Sequence, residues 1–356
     1  MKNQIRLTVL ALAAFMFVAA FIGCSDDPKI ESNSLADKAF DSAVESVSNN
    51  LAEAVVDQPE EVIDVEPVSS EVDIEPADIT PVYEDFVLFN DKIYAVNGNK
   101  LIVYDRKSEI EKDFMVDDLL HTVAVHQSEI FVGGETLYKL NDTTLEYVDD
   151  QFDGVITTLY STPTELYIGT ENGLYSKSVF GKEKILDDFT ISSLVADNGG
   201  LWIGTQGEGL FRWDGEKFKK RFLTRDTTIF DYVNSLDFNH NHLYVGCDNG
   251  FYIFDGGKWE TLTTEDGLPD NNIRTIDASG WVVYVGSDKG VISYFNDEIK
   301  PVNKLEDRQV NHIEVQNRKI FASTSVDGIV EKSGNVVKTV ISPTQMANTE
   351  LLSLLP

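Results

Sequence analysis

The sequence is poor in cysteine and in positive charge, and it carries no familiar catalytic signature. Its 356 residues include two cysteines, Cys24 and Cys247. They lie too far apart for a CxxC redox pair or a thiolate zinc cluster. Lys and Arg number 29 against 60 Asp and Glu, for a formal net charge of −31. Nucleic acid and anionic membrane surfaces would repel such a chain unless a basic patch intervened. No such patch is visible, so nucleic acid is not expected as a partner. There is no G-x-S-x-G elbow, no P-loop and no HExxH, and no Cys/His pairing stands out. The chemistries those motifs mark have no support here. No cofactor and no metal are expected.

Long apolar runs are scarce too; the longest stands at the start. Lys2 and Arg6 precede an apolar run from Leu7 to Ile22, followed by Gly23 and Cys24, which is the layout of a secretory signal. The segment "FIGC" resembles a bacterial lipobox, with Phe21 where Leu is usual. That resemblance implies a signal peptide over residues 1–23 and a lipid on Cys24, the protein touching the membrane through that lipid alone. An uncleaved anchor with an incidental cysteine is the alternative. Once Cys24 is lipidated, Cys247 remains alone and no disulfide forms within the mature chain. Ser25-Asp26-Asp27 resembles the acidic tract that directs some lipoproteins to the outer leaflet, and reads equally well as the start of a solvated linker. The expected location is the bacterial cell envelope, with the outer membrane favoured and either of its faces possible.

Residues 25–83 hold 16 acidic side chains against Lys29 and Lys38. Phe40, Val44, Val47, Leu51 and Val55 recur at steps of three and four, which predicts a short amphipathic helix near 34–57. The stretch after it is acidic and carries Pro59, Pro67, Pro76 and Pro81. It reads as a self-repelling tether, completing a segment 24–81 whose coil would span about 40 Å or more.

From Val82 onward the chain repeats. Seven short cores align: "IYAV" (93–96), "IFVG" (130–133), "LYIG" (166–169), "LWIG" (201–204), "LYVG" (243–246), "VYVG" (283–286) and "IFAS" (320–323). Their second position is aromatic every time: Tyr94, Phe131, Tyr167, Trp202, Tyr244, Tyr284 and Phe321. Successive fourth positions are separated by 37, 36, 35, 42, 40 and 37 residues. Before the core stands a β-type run such as "ISSL" or "VNSL"; after it come a Gly turn, a third run such as "LFRW" and a weaker fourth. Four short strands at a period near 40 residues predict propeller blades, because one such sheet cannot bury both faces alone. The expectation is an all-β, seven-bladed β-propeller of four-stranded blades over 82–341, with a tail over 342–356. The aromatic column is expected to fill the gaps between neighbouring sheets.

"LWIGTQGEGLFRWDGEKF" (201–218) and "TTEDGLPDNNIRTI" (263–276) are similar to the two-component regulator propeller repeat. That family's consensus has a W-I-G-T core, a G-L turn, a D-G before an aromatic, and a D-G-L-P linker. The match is sharp over roughly 155–295 and weak in the first, second and last copies, where Val96 and Ser323 replace Gly in the first and last. The resemblance implies a propeller that in the family usually forms the extracellular sensor of a membrane kinase or regulator. About fifteen residues follow the seventh copy, so a propeller without the kinase part is expected.

Two residue sets are candidates for function. Polar residues recur at the start of each inner strand: His121, Thr157, Ser192, Asn234, Arg274, Asn311 and His312. Loops of ring-shaped β folds converge there, so this is the expected mouth for a ligand or partner; small Ser and Thr also simply suit a crowded axis. The turns after the second strand carry Glu135, Glu171, Glu208, Asp248, Asp288 and Asp327, a possible ring of carboxylates for a cation. Tight-turn geometry alone explains Asp-Asn-Gly and Glu-Asn-Gly equally well. "DFNHNHLYVGCD" (237–248) begins like a calcium loop but has His242 where such a loop needs Gly. His240 and His242 lack further ligands for zinc.

These readings point to a lipid-anchored, monomeric propeller that recognises or scaffolds a protein or glycan partner in the envelope without catalysis. A lyase or hydrolase with a polar axial site is the alternative. An envelope-assembly factor docking through "ELLSLLP" (350–356) is a further one. Fold does not choose among them.

Overall fold

A computed structural model describes residues 84–149, 151–221 and 232–343. The proposed signal peptide, Cys24, the helix near 34–57, the tether and the "ELLSLLP" segment lie outside them. The described residues form seven antiparallel sheets of four strands, each sheet built from consecutive strands. The blades run Asp85–Met115, Thr122–Asp149, Ile156–Asp187, Ile191–Arg221, Val233–Leu262, Ile273–Glu306 and Val310–Ile341. Each first strand touches the first strand of the next blade, and that of blade 7 touches that of blade 1, which makes a ring.

Each predicted core tetrapeptide lies in its blade's second strand. In blade 4, Gly200–Thr205 pairs with Ile191–Asp197 on its inner side and Leu210–Trp213 on its outer side, and Phe218–Arg221 forms the edge. The hydrophobic core lies between blades, because strand alternation gives every sheet two apolar faces. Trp202 and Val195 of blade 4, for example, pack with Val233, Leu236, Val245 and Tyr252 of blade 5. All seven aromatics of the column pack at such junctions: Trp202 and Phe321 are buried, whereas Tyr167, Tyr244 and Tyr284 are half-buried.

The glycines of the repeat make this interlock possible. A Cβ on Gly204 would lie 2.5 Å from Cγ1 of Val233, and one on Gly246 would lie 2.6 Å from Cγ2 of Ile273. In blades 2 to 6 the first apolar residue of the following blade therefore sits against this glycine. The next residue is a buried hydroxyl in most copies. Thr170, Thr205, Ser287 and Thr324 donate to the carbonyls of Gly173, Gly209, Gly290 and Gly328 at 2.6–3.2 Å, closing the turn between strands two and three.

Among the described residues no strand is exchanged between the ends of the ring, and side chains join blade 7 to blade 1. Glu314 accepts the Leu88 N–H at 2.7 Å, and Arg106 donates to Gln316 at 2.8 Å. Phe86, Ile102 and Tyr104 pack with Phe321, Ile329 and Ile341.

Candidate functional site at the axial mouth

The first strands are bulged at their second residue in five blades. Thr170 pairs with Ile156 and Gly169 with Thr158, so Thr157 is left out of the ladder; Ser192, Asn234, Arg274 and Asn311 are skipped in the same way. A bulge turns the extra side chain away from the sheet. These five residues line one recess of about 500 Å³ at the axis, together with Glu84 and Asn272. His121 and His312 join them in lining a cavity of about 430 Å³ along the axis. All seven residues of the expected mouth are thus brought together.

Several of them are also committed to the ring. Asn234 donates from Nδ2 to the Ile273 carbonyl at 2.9 Å, and the hydroxyls of Thr157 and Ser192 donate to the carbonyls of Ile191 and Val233. One residue further on, Ser193, Ser235 and Thr275 accept the N–H groups of Leu236, Ile276 and Ile313 at 2.9–3.1 Å. Two residues beyond those, Asp237, Asp277 and Glu314 accept from Ala278, Val315 and Leu88 at 2.6–2.7 Å. Neighbouring first strands share no backbone ladder, so side chains supply the rungs that satisfy their inward N–H groups.

Arg274 and the histidines are less occupied by the frame. Arg274 pairs with Asp288, whose other oxygen accepts from Asn272 at 2.7 Å. His121 meets Glu84 at 2.9 Å, and this hydrogen bond raises its pKa above the usual histidine value. His312 lies 3.4 Å from Asp85 and edge-on to Phe86. Burial pushes the Glu314 carboxyl up to about 8, with Asp85 and Asp277 adding to the rise. Asp237 is pushed up to about 6, again chiefly by burial.

Sequence reasoning missed Glu84 and Asp85, and missed that Asp237, Asp277 and Glu314 act between blades. The last three had a visible signal: each stands three residues after its bulge, in "NSLD", "RTID" and "NHIE". The first blade lacked a recognisable linker, so Glu84 and Asp85 had none.

The six turn acids lie on the same end of the blades as the mouth but line neither axial recess. Asp288 and Asp327 are held by Arg274 and Arg308, and Glu171 accepts the Val155 N–H at 3.3 Å. Glu135, Glu208 and Asp248 complete the set on the turns of blades 2, 4 and 5. Among the described residues no three His, Cys, Asp or Glu are disposed to hold a metal ion. The segment 237–248 is not a calcium loop: Asp237 is spent on Ala278, and Asn239 donates to the Gly280 carbonyl at 3.0 Å.

Ring, interlock and mouth define a seven-bladed β-propeller of contiguous blades. No protein-family model matches the chain, and no curated protein matches it. Solved structures share its fold. The extracellular domain of the hybrid two component system BT3049 from B. thetaiotaomicron aligns with a TM-score of 0.59 at 13% identity, over 70% of this chain and 38% of that one. The WD40 β-propeller domain of Doa1 aligns with a TM-score of 0.55 at 12% identity, over 70% and 92%. The computationally designed Ika8 aligns at 0.51 and 10% identity, over 70% and 95%. This chain spans little more than a third of the BT3049 domain. At such identities the likeness is one of fold.

Proposed function

We propose that this protein is an exported, lipid-anchored propeller that recognises or scaffolds a protein or glycan partner through its axial mouth, without catalysis. The observation that carries the reading is the convergence of one polar side chain from every blade, Glu84 to Asn311, on one recess. Convergent polar groups on a rigid ring are suited to fix a ligand's orientation. The N-terminal signal and Cys24 support an envelope location. The BT3049 neighbour is an extracellular domain, which agrees with that location. Proximity crosslinking from the intact anchored protein tests the reading. Partners should be recovered with the parent chain and lost when Arg274 and His121 are both replaced by Ala. Equal recovery with that double variant would remove the mouth from the reading.

An enzyme is the second reading, favoured by one observation: His121 and Glu314, both with raised pKa, line the same cavity. Such pairs are found at acid–base sites. Against it, Oε2 of Glu314 already holds Leu88 and closes the ring. Turnover of any substrate that vanishes in Glu314→Gln while the fold persists would establish this reading.

A further inference from the structure

On the end of the ring opposite the mouth, the turns of blades 5 and 6 enclose a groove of about 450 Å³. The turns joining strands one to two and three to four of both blades supply its walls. Trp281 stands at its edge, 75% exposed, in a hairpin turn. Five residues before the core's fourth position, the other repeats carry Asp91, Ser128, Thr164, Gly199, Asn241 and Arg318. Turn chemistry calls for such polar or small residues and gives no reason for an indole. The His240 ring lies nearly parallel to Trp281, with centroids 4.0 Å apart, and fixes one side of the indole. Most of the indole surface stays open to solvent.

The groove also carries charge. Asp255, Glu260 and Asp297 line it against Lys258, leaving an excess of two negative charges beside Trp281, Trp259 and Tyr294. Oδ1 of Asp255 takes the N–H groups of Gly257 and Lys258, and Oδ1 of Asp297 takes the Tyr294 hydroxyl, in bonds of 2.7–3.0 Å. Both carboxylates are thereby held in place with a second oxygen to offer.

One junction earlier, the corresponding groove, of about 420 Å³, is lined by an arginine of the chain itself. Arg212 lies 5.7 Å over the Trp202 ring and grips Asp197 through Nε and Nη2, both at 2.9 Å. Arg212 stands opposite Trp202 in the sheet; in blade 5 the residue opposite Tyr244 is Ile253. Among the described residues no arginine lines the groove between blades 5 and 6. In blade 4 an arginine thus lies against an aromatic ring and a carboxylate at the groove's wall, and the groove between blades 5 and 6 offers rings and carboxylates without that arginine.

We propose that this groove receives an arginine side chain of a basic partner segment, its guanidinium stacked on Trp281 and paired with the carboxylates of Asp255, Glu260 and Asp297. A planar guanidinium satisfies both demands at once, stacking on an indole and bonding to carboxylates in its plane. A chain of net charge −31 also draws basic partners toward it. The site lies on the opposite end from the axial mouth and does not rest on the function proposed for that mouth.

The test is a titration of the full chain with the capped tripeptide Gly-Arg-Gly, following the indole N–H resonance of Trp281. Saturable weak binding is expected. It should fall at least fivefold in Trp281→Asn, which installs the residue blade 5 carries at this turn, and in Glu260→Gln, with unchanged thermal midpoints. Trp281→Phe should retain most of it, and Gly-Glu-Gly should give no response. Equal affinity in Trp281→Asn, no saturable shift, or a response to maltotriose in place of the arginine peptide would overturn the proposal.

Discussion

Glu314 in blade 7 accepts the backbone N–H of Leu88 in blade 1 at 2.7 Å, and this bond joins the two ends of a ring whose described strands are not shared between them. The bond repeats a scheme used elsewhere, since Asp237 and Asp277 hold the next blade in the same way. At the ring's closure it carries more weight, because among the described residues no covalent linker runs between blades 1 and 7 and side chains hold them together.

The buried carboxyl makes stability depend on pH. In the unfolded chain Glu314 ionises near 4.5, whereas in the folded protein burial pushes it up to about 8. Between these values the unfolded state gives up its proton first. The contribution of Glu314 is therefore fully present below pH 4.5 and is lost as pH rises toward 8. Glu314→Gln keeps a neutral acceptor for Leu88. Chemical denaturation should show the variant close to the parent near pH 5 and more stable at pH 9, by on the order of 1–3 kcal/mol. Comparing the two proteins at each pH cancels the other titrating groups.

The glycine interlock predicts a second effect. A methyl on Gly246 would enter the space of Ile273 Cγ2, 2.6 Å away. Gly246→Ala should cost about 1–3 kcal/mol, the ordinary penalty of overpacking. Adding Ile273→Ala opens that space, so the double variant should be less destabilised than the sum of the two single ones. A double-mutant cycle in urea measures this coupling.

The blade count and the packing of the aromatics could be read from the sequence because both repeat. Trp202 has six sister residues, and a period near 40 residues leaves few folds that bury such a column. The mouth was legible for the same reason, since Thr157, Ser192, Asn234 and Arg274 occupy one position of the repeat. Their bulged backbone was hidden, because register is decided by pairing across strands rather than by the local pattern. Glu314 escaped notice because an acid after apolar residues reads as solvent-facing in a single strand. Only the neighbouring blade, bringing Leu88 against it, makes it an internal partner. Trp281 was passed over because it belongs to a turn and breaks the repeat, whereas the reading followed what the copies share.

Within the mouth, the frame and the binding surface should separate. Ser192 donates to the Val233 carbonyl, so Ser192→Ala should cost about 1 kcal/mol by leaving that rung unmade. Arg274 pairs with Asp288 where both are about a third exposed, and such pairs contribute little. Arg274→Ala should stay within about 0.5 kcal/mol of the parent in denaturation and still weaken capture of the partner. A stability loss in Arg274→Ala as large as that in Ser192→Ala would contradict this division.

Trp202 tests whether the column acts by shape or by hydrophobicity alone. It is buried, donates from Nε1 to Asp197 at 2.8 Å, and spans the junction between blades 4 and 5. Trp202→Leu removes the wedge and leaves a void, at a cost of about 3 kcal/mol or more. Trp202→Tyr introduces the residue that the sister positions Tyr94 and Tyr244 carry. It should cost about 1–2 kcal/mol, chiefly through the lost bond to Asp197. If burial alone mattered, the more apolar leucine would be the better replacement. Urea midpoints that rank tyrosine above leucine would show that a flat ring is what fits between two twisted sheets.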